Sequence, residues 1–195
     1  MKPMLAILIP TIVGREKFLE RLLAVLLPQV DEFIGDVHVL IESDNREMTT
    51  GAKRNKLMQR AIEGGFTHRA FIDDDDLISE NYLKLNMPGV YGDYDCNSLV
   101  GVITHNGYKN PQKHLFYHSL LYTHWYDDAN GYYRNPNHLN VVKIDLIKDI
   151  PFRDITVGED GNWSVDIAKA GVLKRELLIT EPFYFYEERT KVDGI

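Results

Sequence analysis

The 195-residue sequence predicts an α/β fold: an open, mostly parallel sheet flanked by helices. Two observations predict it. Continuous apolar runs, the mark of strands buried on both faces, alternate with segments of helical spacing. Each of the first three such runs also ends in a polar loop. The resulting β-α-β-α-β order implies parallel strands joined by crossover helices. Apolar content of 44% and charged content of 26% are those of a globular protein. The length suits one domain, residues 1–195, with a sizeable core.

Residues 4–10, MLAILIP, read as a buried first strand ended by Pro10. Residues 15–30 follow with helical rows, Phe18, Leu22 and Leu26 beside Leu19, Leu23 and Leu27, stopped at Pro28. DVHVLIESD, 36–44, is a second strand stopping at Asp44 and Asn45. TTGAKRNKLMQRAIEGG, 49–65, reads as a helix capped by Thr49 or Thr50 and stopped by Gly64 and Gly65. Leu57, Met58, Ala61 and Ile62 form its buried face. HRAFID, 68–73, is a third strand.

Residues 88–140 are rich in Tyr, His, Asn and Gly, with extended segments from residue 113 and a turn at DDANG, 127–131. LNVVKIDLIKDI, 139–150, reads as a strand running into a short helix. GEDGNWSVDIAKAG, 158–171, is a helix closed by Gly171, and late strand material follows at 173–189.

Several function classes lose support here. A net charge of −7 argues against a broad grip on nucleic acid. Cys96 is the single cysteine, so no intramolecular disulfide forms, which fits a reducing compartment. No apolar segment approaches the roughly 20 residues of a membrane span, and the N-terminus lacks a full signal-peptide core. A soluble, cytoplasmic protein is expected.

In open α/β sheets, ligands bind beyond the carboxyl ends of the strands. The loops there carry Pro10–Thr11, Asp44–Asn45 and the run Asp73–Asp76. Adjacent carboxylates repel, so the run asks for a compensating partner. In an extended segment Asp73 and Asp75 share one face, and Asp74 and Asp76 the other. Two carboxylates on one side suit Mg²⁺ or Mn²⁺, and an exposed acidic turn is the alternative. Lys53 and Arg54 open a helix, where cations do not complement the dipole, so they suit an anion or a solvated basic face. Glu159 and Asp160 open another helix, as dipole partners or as a general base. His138 stands out among seven histidines, and no zinc-type spacing occurs.

Together, ILIPT, IESDN, GAKRNKLMQRA, FIDDDDLI, NHLNVVKIDLI and GEDGNWSVDIAKAG resemble the GT-A-fold glycosyltransferases, most closely the inverting family 2 type with its short phage-like and bacterial members. The resemblance covers roughly residues 4–190. It implies a GT-A (Rossmann-like) domain, with 1–87 binding a nucleotide sugar and 88–195 forming a small antiparallel acceptor-side half. By the same resemblance Pro10, Thr11 and Arg15 line the nucleoside pocket, Asp44 reads the uracil or ribose, and Lys53 and Arg54 lie beside the nucleotide. Asp73 and Asp75 match the DxD pair, although four consecutive aspartates also allow 74/76. Asp73 leans to the ribose, Asp75 to Mn²⁺ or Mg²⁺, and Asp76 to the sugar. Asp74 has no assigned role. Asp160 matches the catalytic base, with Glu159 and Trp163 shaping the acceptor site. His138 matches a family histidine, expected at the metal and the acceptor.

The implied reaction is metal-dependent transfer from a nucleotide-diphosphate sugar, a UDP-sugar by resemblance, to an acceptor hydroxyl with inversion. A non-catalytic binding module for nucleotide sugar or divalent cation is the alternative. A nucleotidyltransferase would want a Gly-rich loop after strand one, where PTIVGREKF has one Gly. The acceptor is a glycan or other hydroxyl-bearing molecule, and the net charge weighs against a hydroxymethylated DNA base. Tyr117, Tyr122, Trp125, Tyr126, Tyr132 and Tyr133 either stack on sugar rings or fill the core.

Overall fold

The computed structural model describes residues 2–105, 108–109 and 114–188. Parts of the polar middle, 106–107 and 110–113, and the end of the chain lie outside the described residues. The chain opens with β1 (Leu5–Ile12), α1 (Glu16–Glu32), β2 (Val37–Asp44), α2 (Thr50–Glu63) and β3 (His68–Phe71). This is the expected β-α-β-α-β order. The chain continues through β4 (Leu77–Ile78), α3 (Tyr82–Tyr91), β5 (Cys96–Asn97), β6 (Leu99–His105) and β7 (Tyr108–Lys109). Next come β8 (Leu115–His118), β9 (Tyr126–Asp127), β10 (Tyr132–Arg134), β11 (Val142–Lys143) and α4 (Ile144–Ile147). It closes with α5 (Glu159–Ala170), β12 (Glu176–Leu177) and β13 (Tyr184–Glu188).

The first sheet runs β12-β5-β11-β3-β1-β2. Only β11 opposes its neighbours, so the sheet is mostly parallel. Alternation along β1 divides the core. Leu5, Ile7 and Ile9 pack with Leu22 and Leu26 of α1 and Leu83 and Met87 of α3. Ala6 and Leu8 pack on the other face with Leu57 and Ala61 of α2 and Trp163 and Ile167 of α5. Burial on both faces is what an alternating β/α order imposes.

The second sheet runs β4-β13-β6-β8-β10-β9, with β7 beside β6. It is mainly antiparallel, with parallel pairs β13–β6 and β10–β8. The acidic run is the link between sheets, since it joins β3 of the first to β4 of the second.

Two prolines act differently from expectation. β1 continues through Pro10 to Ile12. β3 pairs with β1 only as far as Leu8, and Leu8 O accepts from Ile72 N on that side. Residue 10 points the same way, past the end of β3, so no ladder donor is lost there. α1 likewise runs through Pro28 to Glu32. Gln29, buried in the next turn, donates to Ser79 O and accepts from Leu83 N, both at 3.0 Å, and these bonds anchor the helix end. Leu27 is 46% exposed rather than in the buried row. Elsewhere the end signals hold. Thr49 caps α2 by accepting from Ala52 N at 3.1 Å, and Gly171 closes α5 in the left-handed region.

Candidate active site

The four aspartates form a turn, with Asp76 N donating to Asp73 O at 3.1 Å, so the two-faced alternation of an extended strand does not apply. Each carboxylate instead has its own partner. Asp73 accepts from Arg54 Nη2 at 2.9 Å. Asp74 is buried, accepting from Thr11 Oγ1 at 2.6 Å, with Arg15 Nη1 at 3.1 Å. Asp75 pairs with the same Arg15. Asp76 is buried and accepts from the Tyr184 hydroxyl at 2.6 Å.

Their environments separate their charges. Burial pushes the Asp73 carboxyl up, but Arg54 and His138 outweigh it and hold the group well below the usual range. Burial raises Asp74 to about 6 against the pull of Thr11 and Arg15, with Asp75 and Asp73 adding to the rise. Burial and the nearby Asp73 raise Asp76 well above the ordinary value. The partner asked for by the sequence is a set of arginines, a hydroxyl and a phenol.

α2 supplies the central cation. Arg54 is buried with its guanidinium between Asp73 and Glu159 Oε1, the latter at 3.2 Å from Nε. The rings of Phe71 and Phe152 lie 5.1 and 5.9 Å from its guanidinium carbon. Lys53, also buried, pairs with Asp44 and donates to Thr11 O at 2.6 Å. Asp44 takes a second bond from Met48 N at 2.6 Å, and Lys53 and Met48 outweigh burial in lowering its carboxyl. The Asp44 side chain, 6% exposed, is turned to Lys53 and the Met48 backbone. Lys53 thus joins Asp44 to the Thr11 backbone.

His138 and α5 complete the centre. The buried His138 ring places Nε2 at 3.5 Å from Asp73 Oδ2 and Nδ1 at 3.8 Å from Asp160 Oδ2. It thus stands between the acidic turn and the first turn of α5. Gly158, at φ 81°, starts that helix in the left-handed region natural to glycine. Glu159 then turns inward to Arg54, while Asp160 keeps 34% of its side chain exposed.

Two cavities meet here. One of about 220 Å³ is lined by Pro10, Thr11, Arg15, Lys53, Asp73 and Asp75. The other, about 370 Å³, is lined by Asp73, Asp76, Arg134, His138, Glu159 and Asp160. Arg54, Asp73 and Glu159 belong to both. The expected residues Pro10, Thr11, Arg15, Lys53, Arg54, Asp73, Asp75, Asp76, His138, Glu159 and Asp160 thus converge.

Trp163 does not. It is buried, stacked on Phe152 at 4.9 Å, under the Arg69 guanidinium at 4.4 Å, and its Nε1 donates to Ile150 O. It is a core residue, and the tryptophan at the cavity is Trp125. Arg134 was also missed. It lies 4.4 Å over the Trp125 ring, and the only sequence sign was a lone cation ending the aromatic stretch YYR.

For a divalent cation the donors fit in part. Asp73 and Asp75, about a third exposed, offer hard oxygens to one cavity. Among the described residues no three His, Cys, Asp or Glu side chains group as a metal centre. Two carboxylates suit an ion whose remaining positions go to phosphate oxygens and water.

No family model and no curated protein matches the chain. Solved structures do. The chain resembles residues 1–349 of S. aureus TarS in complex with UDP-GlcNAc, with TM-score 0.62 and 16% identity, over 97% of this chain and 60% of that one. The TarS complex with UDP gives TM-score 0.61 and 15% identity, over 94% and 60%. The chain therefore spans less than two thirds of the TarS segment it matches. At such identity the likeness concerns the fold, and that fold is the GT-A fold expected from the motifs.

Proposed function

We propose that the chain is a glycosyltransferase that moves a sugar from a nucleotide-diphosphate sugar, a UDP-sugar, to an acceptor hydroxyl with inversion. The observation that carries this is the convergence of the strand-end loops of β1 and β3, the start of α2 and the first turn of α5 on two adjoining cavities. The likeness to a protein solved with UDP-GlcNAc and with UDP adds support for the donor.

The smaller cavity takes the nucleoside and diphosphate, with Arg15 and the start of α2 facing the anion. Asp73 and Asp75 would hold Mn²⁺ or Mg²⁺, which supplies charge stabilisation to the leaving diphosphate. The larger cavity takes the sugar and the acceptor. Asp76, buried against the Tyr184 hydroxyl, offers a polar contact there. Asp160, accessible at the helix start, takes the acceptor proton as its oxygen attacks the anomeric carbon. His138 and Arg54 hold the acidic turn and the α5 turn in fixed relation. A single displacement on one face inverts the anomeric configuration. The test is Asp160→Asn: nucleotide-sugar turnover falls at least 10²-fold while donor binding persists. Near-normal turnover removes Asp160 as the base.

A further inference from the structure

Trp125 stands between two cavities. It lines the one that holds Asp160. It also lines another of about 610 Å³ along α5, with Thr123, Asn135, Gly161, Asn162 and Val165. Arg134 lies 4.4 Å from the indole centre and lines only the first cavity.

The indole is held in place. Nε1 donates to Ser164 Oγ at 3.4 Å, and the six-membered ring rests on α5 at Gly161, where a Cβ would come within 3.2 Å of Cη2. Despite this fixation Trp125 is 38% exposed. A fixed, partly exposed aromatic plane beside amide and hydroxyl side chains suits a sugar ring. The ring's C–H face lies on the aromatic plane and its hydroxyls find polar partners. The volume is in the range of small-molecule sites. Lys169 is the one side chain with a fixed charge among the lining residues, so a polyphosphate chain has little to bind.

We infer that this cavity is a subsite for the next sugar of an oligosaccharide acceptor, whose terminal hydroxyl reaches Asp160 while the adjoining ring lies on Trp125. This rests on the glycosyltransferase reading and adds the acceptor class: a glycan of two or more sugars.

The chain has two tryptophans, so 5-fluorotryptophan labelling gives two ¹⁹F resonances, assigned with Trp125→Phe. Chitotriose and maltotriose are titrated against N-acetylglucosamine and glucose. At least one trisaccharide shifts the Trp125 resonance saturably, with at least five-fold tighter half-saturation than its monosaccharide, while Trp163 stays put. Ala168 also lines the second cavity; Ala168→Phe narrows it without adding a third tryptophan and removes that advantage, and an unmoved Trp163 signal reports that the variant is folded. Absence of a Trp125 shift with both trisaccharides, or equal affinity for mono- and trisaccharide, overturns the subsite. Thermal stabilisation by UDP-GlcNAc, measured on the same sample, separates the two claims. A UDP-GlcNAc response without a saccharide response removes the subsite alone. A saccharide response without a UDP-GlcNAc response supports the subsite and removes the donor reading. No response to either removes both.

Discussion

Replacing Arg54 by Met tests how the centre is held together. Arg54 is buried and serves two carboxylates. Glu159, with a side chain 6% exposed, would be left as an uncompensated buried acid, a loss worth about 3–5 kcal/mol. The Asp73 contact adds little, about 0–1 kcal/mol, because that side chain is a third exposed. Met keeps most of the apolar contact with Phe71 and Phe152. The expected total is therefore about 3–5 kcal/mol, set by the Glu159 pair. At about 2–4 °C per kcal/mol for a chain of this size, Tm falls by about 6–20 °C. Urea unfolding supplies the free energy, and Glu159→Gln in the Arg54→Met background recovers part of it because the stranded charge is gone. A loss below about 1 kcal/mol, or no recovery in the double variant, refutes the view that this buried pair organises the site.

Other expectations are as definite. Because Asp74 is raised to about 6, its penalty is absent below the ordinary carboxylate range, grows between about pH 4 and 6, and is constant above. Wild type thus gains stability relative to Asp74→Asn as pH falls from 7 to 4, by about 2–3 kcal/mol in chemical unfolding; a flat difference contradicts the assignment. Trp163→Ala costs about 3–5 kcal/mol in urea unfolding, as a core residue should, and a small loss would return it to the site. Asp75→Asn weakens Mn²⁺ binding in the presence of UDP by at least ten-fold in electron paramagnetic resonance titration, and unchanged affinity removes Asp75 as a ligand.

Much of the fold was legible because burial on both strand faces writes unbroken apolar runs, as in Leu5–Ile9, between amphipathic helices. What was missed has local causes. Pro10 and Pro28 read as stops because whether a missing N–H matters depends on neighbours the sequence does not reveal. α3 was hidden by Pro88 and Gly89 inside its own span. At Gly89 a Cβ would meet Asn97 Oδ1 at 1.8 Å, so the close packing that requires glycine also disguises the helix.

At the site, residue types near strand ends were readable, but their partners were not. Alternation failed for Asp73–Asp76 because the chain turns there to change sheets. Asp74, without a role in the sequence, proves to tie Thr11 and Arg15 to the turn. Trp163 and Trp125 exchanged places because spacing within α5 does not tell which turn faces the core. Arg134 came from a strand register set by long-range pairing with β8.

The most direct test of the central claim is calorimetric titration of the protein with UDP-GlcNAc in Mn²⁺. The account predicts a saturable single site, weakened at least ten-fold by Asp73→Asn, which removes a carboxylate shared by both cavities. Absence of binding by UDP-GlcNAc, or equal binding by the Asp73→Asn variant, contradicts it.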